Sequence, residues 1–364
     1  MRKKINMIFK LAIISIFLIG MIIYYWFSHR TIFFVKQMGA GTNLGNSLDS
    51  TGLRQYEPDA GDLEYETYWG NPLVGKEYFG MIYDAGFRTV RIPVTWEDHL
   101  DAEGNISEVW MNRVQEVVDM ALEQGLYVII NLHHEAWLNL EIHKEQEITD
   151  RFGIVWKQIA ERFSEYDERL IFESMNEPRL RDSEYEWGEG TPELRAMVNR
   201  LNERFVRIIR EAEGNNPERY LMICPYATSH EPEAMRALTV PDRRIIVSVH
   251  AYIPYEFCQK KDGTKKWDAE ELNARETIKE VFREMHVLFL SKGVPVIITE
   301  FGCKDKDNIE ERISWTEYFT GQAKKNGISY IWWDCDDYKL IDRYRNRWIY
   351  PELAEILTGE KVNQ

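Results

Sequence analysis

The stretch Ile171-Phe-Glu-Ser-Met-Asn-Glu-Pro-Arg179 joins a short apolar run to a polar end. The apolar run predicts a buried strand. Pro178 predicts where that strand ends, because proline lacks the backbone N–H group that a strand needs. Glu177 should therefore project from the end of the strand, beside Asn176, whose amide can hold a substrate hydroxyl. We expect this carboxylate to lie in a functional site.

A second glutamate stands in an equivalent place much further along the chain. Glu300 follows the β-branched run of Val296-Ile-Ile-Thr-Glu-Phe-Gly302, where another buried strand is predicted to stop. Two carboxyl groups at strand ends are the minimum for cleaving a glycosidic bond, because one protonates the leaving oxygen while the other attacks the anomeric carbon. The pair indicates a glycosidase.

Short apolar runs alternate with helical patterns along most of the chain, which predicts parallel strands joined by crossover helices. The predicted strands are Met38–Leu44, Thr89–Ile92, Leu126–Leu132, Leu170–Ser174, Tyr220–Cys224, Ile245–Val249, Val294–Thr299 and Ile328–Trp332. The predicted helices are Gly75–Ala85, Val109–Glu123, Ile154–Phe163, Thr191–Ala212, Glu231–Leu238, Glu271–Leu290, Glu310–Lys325 and Pro351–Leu357. Eight such pairs predict an α/β fold, a (β/α)8 TIM barrel whose site lies at the C-terminal ends of the strands.

A doubly wound open sheet is the alternative to the barrel. Such a sheet normally carries a Gly-rich GxGxxG turn after its first strand. The corresponding residues here are GTNLGN, from Gly41 to Asn46, which do not match that turn. The barrel is therefore the favoured fold.

Composition limits the classes of partner. The formal net charge of -15 argues against nucleic acid, because phosphate binding needs clustered Lys and Arg. The four cysteines form no CxxC pair, so free buried thiols are expected ahead of a disulfide. His134-Glu-Ala-Trp-Leu138 begins like the zinc motif HExxH, but Leu138 stands where the second histidine must be. We expect neither a metal nor a cofactor, and we expect a monomer.

The N-terminal region predicts a membrane segment. Leu11 to Phe27 is an apolar run of about 17 residues, which is close to the length that crosses a bilayer. The basic residues Arg2, Lys3, Lys4 and Lys10 precede it, which predicts a cytoplasmic N-terminus and an extracellular catalytic domain. The bulky Tyr24-Tyr-Trp-Phe27 favours an uncleaved transmembrane anchor over a cleaved signal peptide; secretion after cleavage is the alternative.

Two regions follow from these patterns. Residues 1–37 are assigned to a cytoplasmic stub, the transmembrane signal-anchor and a short juxtamembrane segment. Residues 38–364 are assigned to the catalytic barrel. We find no linker, repeat or second compositional block that would predict an attached binding module.

Polar and aromatic residues follow almost every predicted strand, which is where a barrel carries its site. They are Asn43-Leu-Gly-Asn46, Arg91, His133-His-Glu135, Asn176, Glu177, His250-Ala-Tyr252, Glu300 and Trp332-Trp-Asp334. One such residue alone would more often be a satisfied buried polar group than a functional one. Their repeated occurrence at strand ends indicates a site.

Seven blocks of the chain resemble the signature blocks of glycoside hydrolase family 5, the cellulase family. They are Asn43-Leu-Gly-Asn46, Thr89-Val-Arg-Ile-Pro-Val-Thr-Trp96, Asn131-Leu-His-His-Glu135, Met175-Asn-Glu-Pro-Arg179, His250-Ala-Tyr252, Thr299-Glu-Phe-Gly302 and Trp332-Trp-Asp334. The resemblance runs from about Met38 to Leu357 and is strongest to the bacterial branch rich in endo-β-1,4-glucanases and xyloglucanases. It implies an endo-acting, retaining hydrolase of β-1,4-glucosidic bonds in cellulose-type β-glucans.

The resemblance also implies a role for each motif residue. Glu177 is expected to be the acid/base and Glu300 the nucleophile. The residues expected to bind substrate or support the pair are Asn43, Arg91, His133, His134, Asn176, His250, Tyr252 and Trp333. Trp333 is preferred to Trp332 as the sugar platform, because adjacent strand residues face opposite sides. Trp69, Trp96, Trp137 and Trp187 are candidates for outer subsites, and a core position is the alternative for each of them.

The two glutamates should differ in proton affinity if these roles hold. We expect the nearby charge of Glu300 to raise the pKa of Glu177, which must begin protonated. Arg91 and the hydroxyl of Tyr252 should keep Glu300 ionised. Xyloglucan, mixed-linkage glucan, mannan and xylan remain alternative substrates, because loops set specificity. A non-catalytic glucan-binding surface protein is the hypothesis from another class.

Overall fold

Eight parallel strands close into a barrel in a computed structural model that describes residues 29–362. The strands are β1 Gly41–Asn43, β2 Thr89–Ile92, β3 Tyr127–Asn131, β4 Leu170–Glu173, β5 Leu221–Ile223, β6 Ile245–His250, β7 Val296–Phe301 and β8 Ser329–Trp332. Each strand pairs with the next, and β8 pairs with β1 through Gly41 and Ile331. The predicted barrel is confirmed.

One helix precedes β1, and the helices that follow the strands cover the outside of the barrel. They are α1 Arg30–Met38, α2 Tyr65–Tyr68, α3 Lys76–Asp84, α4 Glu108–Glu123, α5 Glu145–Arg162, α6 Pro192–Glu211, α7 Pro232–Ala237, α8 Tyr255–Cys258, α9 Ala274–Leu288, α10 Ile309–Asn326 and α11 Pro351–Thr358. Two short antiparallel strands, β9 Ile341–Asp342 and β10 Arg347–Trp348, form a ribbon after β8.

Most predicted bounds agree with the structure to within a few residues, and two differ more. Helix α5 begins at Glu145 rather than Ile154, and Ile148 and Phe152 lie on the buried face of the added turns. Gly153 hides this continuity in the sequence because glycine is a weak helix former. The first strand is shorter than predicted, because Met38 ends a helix instead of beginning a strand.

The lower barrel interior is filled by one apolar layer. Alternate residues of the strands point inwards and meet there; they are Ile129, Ile171, Met222, Ile246, Ile297 and Ile331. The residues between them face the surrounding helices and are also buried, as in the fully buried pattern of Leu170–Glu173. Burial on both faces explains why the strands appear as continuous apolar runs.

Helix α1 closes the N-terminal end of the barrel. Phe34, Val35 and Met38 pack against the apolar interior layer. The ring of Phe34 stacks on Tyr220 with centroids 3.7 Å apart and an interplanar angle of 16°. The sequence pattern assigns residues 30–37 to the segment before the catalytic domain, but these side chains form part of the packed barrel. A nine-residue helix next to an apolar run has too weak a pattern to be recognised alone.

The predicted membrane anchor, Leu11 to Phe27, lies outside the described residues. None of the helices between residues 29 and 362 combines the length and apolar content needed to cross a bilayer. The four cysteines, Cys224, Cys258, Cys303 and Cys335, are all free and buried, which confirms the expectation of free thiols.

Phe34→Ala should destabilise the barrel, because it removes a stacked ring from the buried contact between α1 and the bottom of the barrel. We expect the free energy of unfolding, measured by urea denaturation, to fall by about 3 kcal/mol. Phe33→Ala is the matched control, since Phe33 is only partly buried, and should cost less than half as much. Equal losses for the two variants would contradict the packing described for α1.

Candidate active site

Glu177 and Glu300 reach the same cleft from opposite sides of the barrel. Glu177 follows β4 and has a positive φ of 43°, which turns the chain sharply after the strand. Glu300 lies in β7, where the pairing with β6 shifts in register near His250. Such an irregularity re-aims a side chain, and Glu300 consequently lines the cleft although its neighbour Thr299 bonds within the interior.

The two carboxylates are close enough to act on one bond. Ligand atoms of Glu177, His250 and Glu300 all lie within 4.8 Å of one another. Retaining glycosidases hold their carboxyl groups about 5 to 5.5 Å apart, whereas inverting enzymes leave about 6.5 to 9.5 Å for a water molecule. The short separation favours the retaining geometry that the sequence predicts.

His250 lies between the two glutamates. Its Nδ1 donates to Oε1 of Glu177 at 3.0 Å. Its Nε2 lies 3.5 Å from Oε1 of Glu300 and makes no hydrogen bond. The imidazole therefore contacts Glu177, as the sequence predicts, and it also contacts Glu300.

Arg91 organises the site from below. Its guanidinium is fully buried and donates to Glu300 Oε1 at 2.7 Å, to Asn176 Oδ1 at 2.8 Å and to Asn43 Oδ1 at 3.0 Å. Tyr252 adds a second hydrogen bond to Glu300, from its hydroxyl at 3.1 Å. Glu300 is thus held by both donors expected from the sequence.

Glu173 is a buried carboxylate that the sequence analysis missed. It accepts hydrogen bonds from Arg91 Nε at 2.7 Å, Asn131 Nδ2 at 2.9 Å and Ser248 Oγ at 2.6 Å. A buried guanidinium needs such a counter-charge. The available signal was a glutamate two positions after Ile171 in an apolar strand, which places it on the interior face.

A turn after β5 holds the backbone around Glu177. Thr228 Oγ1 accepts the N–H of Glu177 at 3.0 Å, and the N–H of Ala227 donates to the carbonyl of Pro178 at 2.8 Å. Ala227 and Thr228 both have positive φ, an unfavourable conformation for residues with a side chain. Two residues with strained backbone conformations thus hold Pro178 and the strained backbone at Glu177 in place.

A cleft of about 1000 Å³ opens at the C-terminal ends of the strands. Eight of the ten predicted site residues line it, namely His133, His134, Asn176, Glu177, His250, Tyr252, Glu300 and Trp333. Asn43 and Arg91 do not line it, because both are fully buried below. The amide of Asn43 donates to the carbonyls of Thr299 and Trp332. The sequence analysis expected Asn43 to line the sugar subsite. Instead, Asn43 joins neighbouring strands below the cleft.

The aromatic residues divide between cleft and core. Trp333 lines the cleft and lies parallel to His133, with ring centroids 5.9 Å apart. Trp332 is fully buried, so Trp333 is the one of these two tryptophans that faces the cleft. Among the four tryptophans that the sequence leaves open between outer subsite and core, Trp187 lines the cleft and Trp96 is a core residue. The alternation of side chains along a strand predicted which of Trp332 and Trp333 faces the cleft. Loop residues follow no such alternation, so their positions could not be predicted in this way.

The pKa values of the glutamates differ from the expected order. Burial raises the pKa of Glu177, but the hydrogen bond and charge of His250, with the charge of Arg179, outweigh it and hold the pKa below its ordinary value. Burial raises the pKa of Glu300 above its ordinary value despite the charges of His250 and Arg91. The expectation of a raised pKa for Glu177 is therefore wrong for the protein without substrate, because it ignored His250.

Two groups of side chains among residues 29–362 bring three possible metal ligands within 4.8 Å: Glu177, His250 and Glu300, and Asp49, His133 and His134. In the first group, the guanidinium of Arg91 already binds Glu300 and would repel a cation. In the second, both oxygens of Asp49 accept backbone N–H groups. Hydrogen bonds thus already occupy carboxylate oxygens in both groups.

A closed eight-stranded barrel with two adjacent carboxylates after β4 and in β7 is the arrangement of a glycoside hydrolase. The comparison with known families agrees with this class. Residues 53–339 match the cellulase family, glycosyl hydrolase family 5, and the chain belongs to that family.

Known relatives share both sequence and fold. Endoglucanase A of Clostridium longisporum is 38% identical over 336 residues, which are 89% of this chain and 64% of that protein. A GH5-4 broad specificity endoglucanase from Ruminococcus champanellensis with bound cellotriose superposes with a TM-score of 0.85 at 36% identity, covering 89% of this chain and 97% of that one. A xyloglucan-specific endo-β-1,4-glucanase from a metagenomic library, in complex with cellotriose, gives 0.85 at 33% identity, covering 91% and 99%.

His250→Asn should move the pH dependence of hydrolysis. The substitution removes the imidazole whose hydrogen bond and electrostatic effect lower the pKa of Glu177, so this pKa rises. A general acid works while protonated, and activity is lost as pH rises through its pKa. The alkaline limb of kcat/KM against pH, measured on a soluble cellulose derivative, should therefore move up by about one unit.

The control for this measurement is His286→Asn, on the exposed face of α9, which should leave both limbs unchanged. An alkaline limb that stays in place or moves to lower pH in His250→Asn would contradict the influence of His250 on Glu177.

Proposed function

We propose that this protein hydrolyses internal β-1,4-glucosidic bonds of cellulose-type β-glucans with retention of anomeric configuration. The observation that carries the proposal is the short separation of Glu177 and Glu300, whose facing oxygens lie within 4.8 Å. The relatives named endoglucanase and the related structures that hold cellotriose support a β-glucan as substrate. Since the chain spans 64% of the endoglucanase A of Clostridium longisporum, the activity proposed here is that of the barrel itself.

Each glutamate has one role in a double displacement. Glu300 attacks the anomeric carbon while Glu177 gives its proton to the leaving oxygen, so the glycosidic bond breaks and a glycosyl ester forms on Glu300. Glu177, now a carboxylate, takes a proton from water as that water attacks the same carbon. The ester bond breaks and both carboxyl groups return to their starting states.

The lowered pKa of Glu177 implies that the proton arrives with the substrate. In the free protein Glu177 is ionised at neutral pH, because its pKa lies below the ordinary value. A bound sugar chain excludes water from the cleft and penalises two adjacent negative charges. We infer that substrate binding raises the pKa of Glu177 until it takes up the proton that the first step needs.

Neighbouring side chains orient the sugar. The Oδ1 of Asn176 already accepts from Arg91, so its Nδ2 is the group left to donate to the 2-hydroxyl. That bond strengthens as the ring approaches an oxocarbenium ion. His133, His134 and Trp333 line the cleft, where two imidazoles can bond hydroxyls and the indole can support a sugar face.

Xyloglucan and mixed-linkage glucan are the second candidate substrates. The cleft volume of about 1000 Å³ leaves room for a branched chain such as xyloglucan. A structure of the same TM-score belongs to a xyloglucan-specific enzyme. Product analysis on barley β-glucan, xyloglucan, carboxymethylcellulose, mannan and xylan would rank these polymers.

We also propose that residues 11–27 anchor a monomeric enzyme in the cell membrane with its catalytic barrel outside. The apolar run and the preceding basic residues support the anchor and its orientation. Helix α1 begins at Arg30, so the proposed span would lead almost directly into the bottom of the barrel. Secretion after cleavage is the alternative.

Glu177→Gln and Glu300→Gln should each lower kcat on carboxymethylcellulose by at least about a thousandfold, because each removes a reacting group. Glu276→Gln, on the exposed surface of α9, is the control and should remain active. Azide added to the alanine variants separates the roles. With an aryl β-cellobioside, Glu300→Ala should yield the α-azide and Glu177→Ala the β-azide, and the reverse pattern would refute the assignment.

Cell fractionation tests the anchor. The full chain should sediment with membranes, and a protease site placed between Ser28 and His29 should release a soluble, active barrel that keeps α1. A site placed after Met38 should release an unstable product, because the bottom of the barrel loses Phe34, Val35 and Met38. Recovery of an N-terminally shortened chain from the medium would support secretion instead.

A further inference from the structure

The loop between β4 and α6 carries an unusually exposed indole. Trp187 is 56% exposed, although it lines the same cleft as Glu177. The other large aromatic residues of that loop and the neighbouring turn are less accessible; Tyr226, for example, is buried. An exposed tryptophan in a substrate cleft indicates a contact surface, since burying it would otherwise stabilise the fold.

Arg179 connects this indole to the proposed acid. Its guanidinium carbon lies 4.1 Å from the ring centroid of Trp187. Its Nη1 donates to the carbonyl of Glu177 at 2.9 Å and approaches the carboxylate Oε2 at 3.4 Å. Nε donates to Glu186 Oε1 at 3.2 Å, which orients the guanidinium plane. One charged group therefore touches both the indole and the acid.

Hydrogen bonds fix the base of the loop, and they therefore hold Arg179 in place between Trp187 and Glu177. The hydroxyl of Tyr226 accepts the N–H of Leu180 at 3.0 Å and donates to the carbonyl of Tyr185 at 2.6 Å. Glu186 also accepts the N–H of Asp182 at 3.1 Å. Trp187 lines the cleft from this fixed loop, next to Gly188.

The position of Glu177 identifies the side of the cleft. A general acid stands beside the oxygen that leaves, and Trp333 on the β8 side supports the sugar whose anomeric carbon reacts. Arg179 contacts both Trp187 and Glu177, so Trp187 lies on the Glu177 side of the cleft. Sugars on the leaving side of the bond therefore meet Trp187.

We propose that Trp187 is a sugar platform on the leaving-group side and that Arg179 couples its occupancy to the position of Glu177. This inference rests on the proposed glucanase function. A sugar stacked on the open face of the indole presses the opposite face against Arg179, which then holds the acid beside the leaving oxygen. Arg179 acts through Glu177 and is a positioning residue.

Two substrates that differ only in the leaving group test the platform. Cellotetraose places sugars on the leaving side, whereas β-cellobiosyl fluoride has a leaving group too small to reach Trp187. In Trp187→Ala, kcat/KM should fall at least tenfold on cellotetraose and change less than twofold on the fluoride. Trp187→Phe should recover part of the loss, and Tyr56→Ala, at an exposed tyrosine outside the cleft, should change neither.

Equal losses on the two substrates in Trp187→Ala would overturn the platform, because they would show a general structural effect. No loss on either substrate would overturn it as well. A wild-type chain that hydrolyses neither substrate would instead refute the proposed function, so the two failures are distinguishable.

Arg179→Gln tests the coupling. The variant should lose kcat/KM on cellotetraose, and kcat/KM on the fluoride should stay within about twofold, since fluoride leaves with little help from an acid and kcat/KM does not include the second step, in which Glu177 acts as a base. Loss of the Arg179 charge should also move the alkaline limb on cellotetraose to higher pH, while the other groups facing Glu177, namely His250, His134 and Glu300, stay in place. A lower kcat/KM on both substrates with an unmoved limb would refute the coupling.

Discussion

The buried guanidinium of Arg91 is the interaction on which the rest of the site depends. A charge without access to water is tolerated only when it is paired and hydrogen-bonded. Glu173 supplies the internal counter-charge, and Glu300 supplies the second carboxylate at the edge of the cleft. Because the fork is rigid, these two bonds also fix the direction of its remaining N–H groups towards Asn43 and Asn176. One buried cation thus sets the positions of four residues, which lie in β1, in β4, just after β4 and in β7.

The barrel interior changes from apolar to polar along its axis. At the bottom, Phe34 of α1 seals an apolar layer by stacking on Tyr220. One layer higher, the hydroxyl of Ser248 donates a hydrogen bond to Glu173, and both side chains are buried. The apolar layer supports stability, and the polar layer rigidly supports the groups that face the substrate. Glu177 differs from Glu300 in this respect, because Glu177 is held by loops and a strained turn rather than by strands.

Sequence periodicity was sufficient for the barrel and most of the site. The strands were recognisable because both of their faces are buried, and Glu177, Glu300 and Trp333 were recognisable because they follow such strands. Short or interrupted patterns failed: α1 has only nine residues, and Gly153 hides half of α5. Glu173 was missed because it lies inside a buried strand, and the residues that bond its carboxylate are far away in the sequence.

The sequence by itself determined the fold class, the family resemblance and the identity of the carboxylate pair, because these depend on local patterns of burial and on motifs at strand ends. Only the tertiary structure decided how the pair is tuned. His250 lies 73 positions from Glu177 and yet contacts it, which reverses the expected direction of the Glu177 pKa. Such contacts arise from closure of the barrel, and no spacing along the chain encodes them. The same closure buries Asn43 and Arg91 beneath the cleft and leaves Trp187 open beside it.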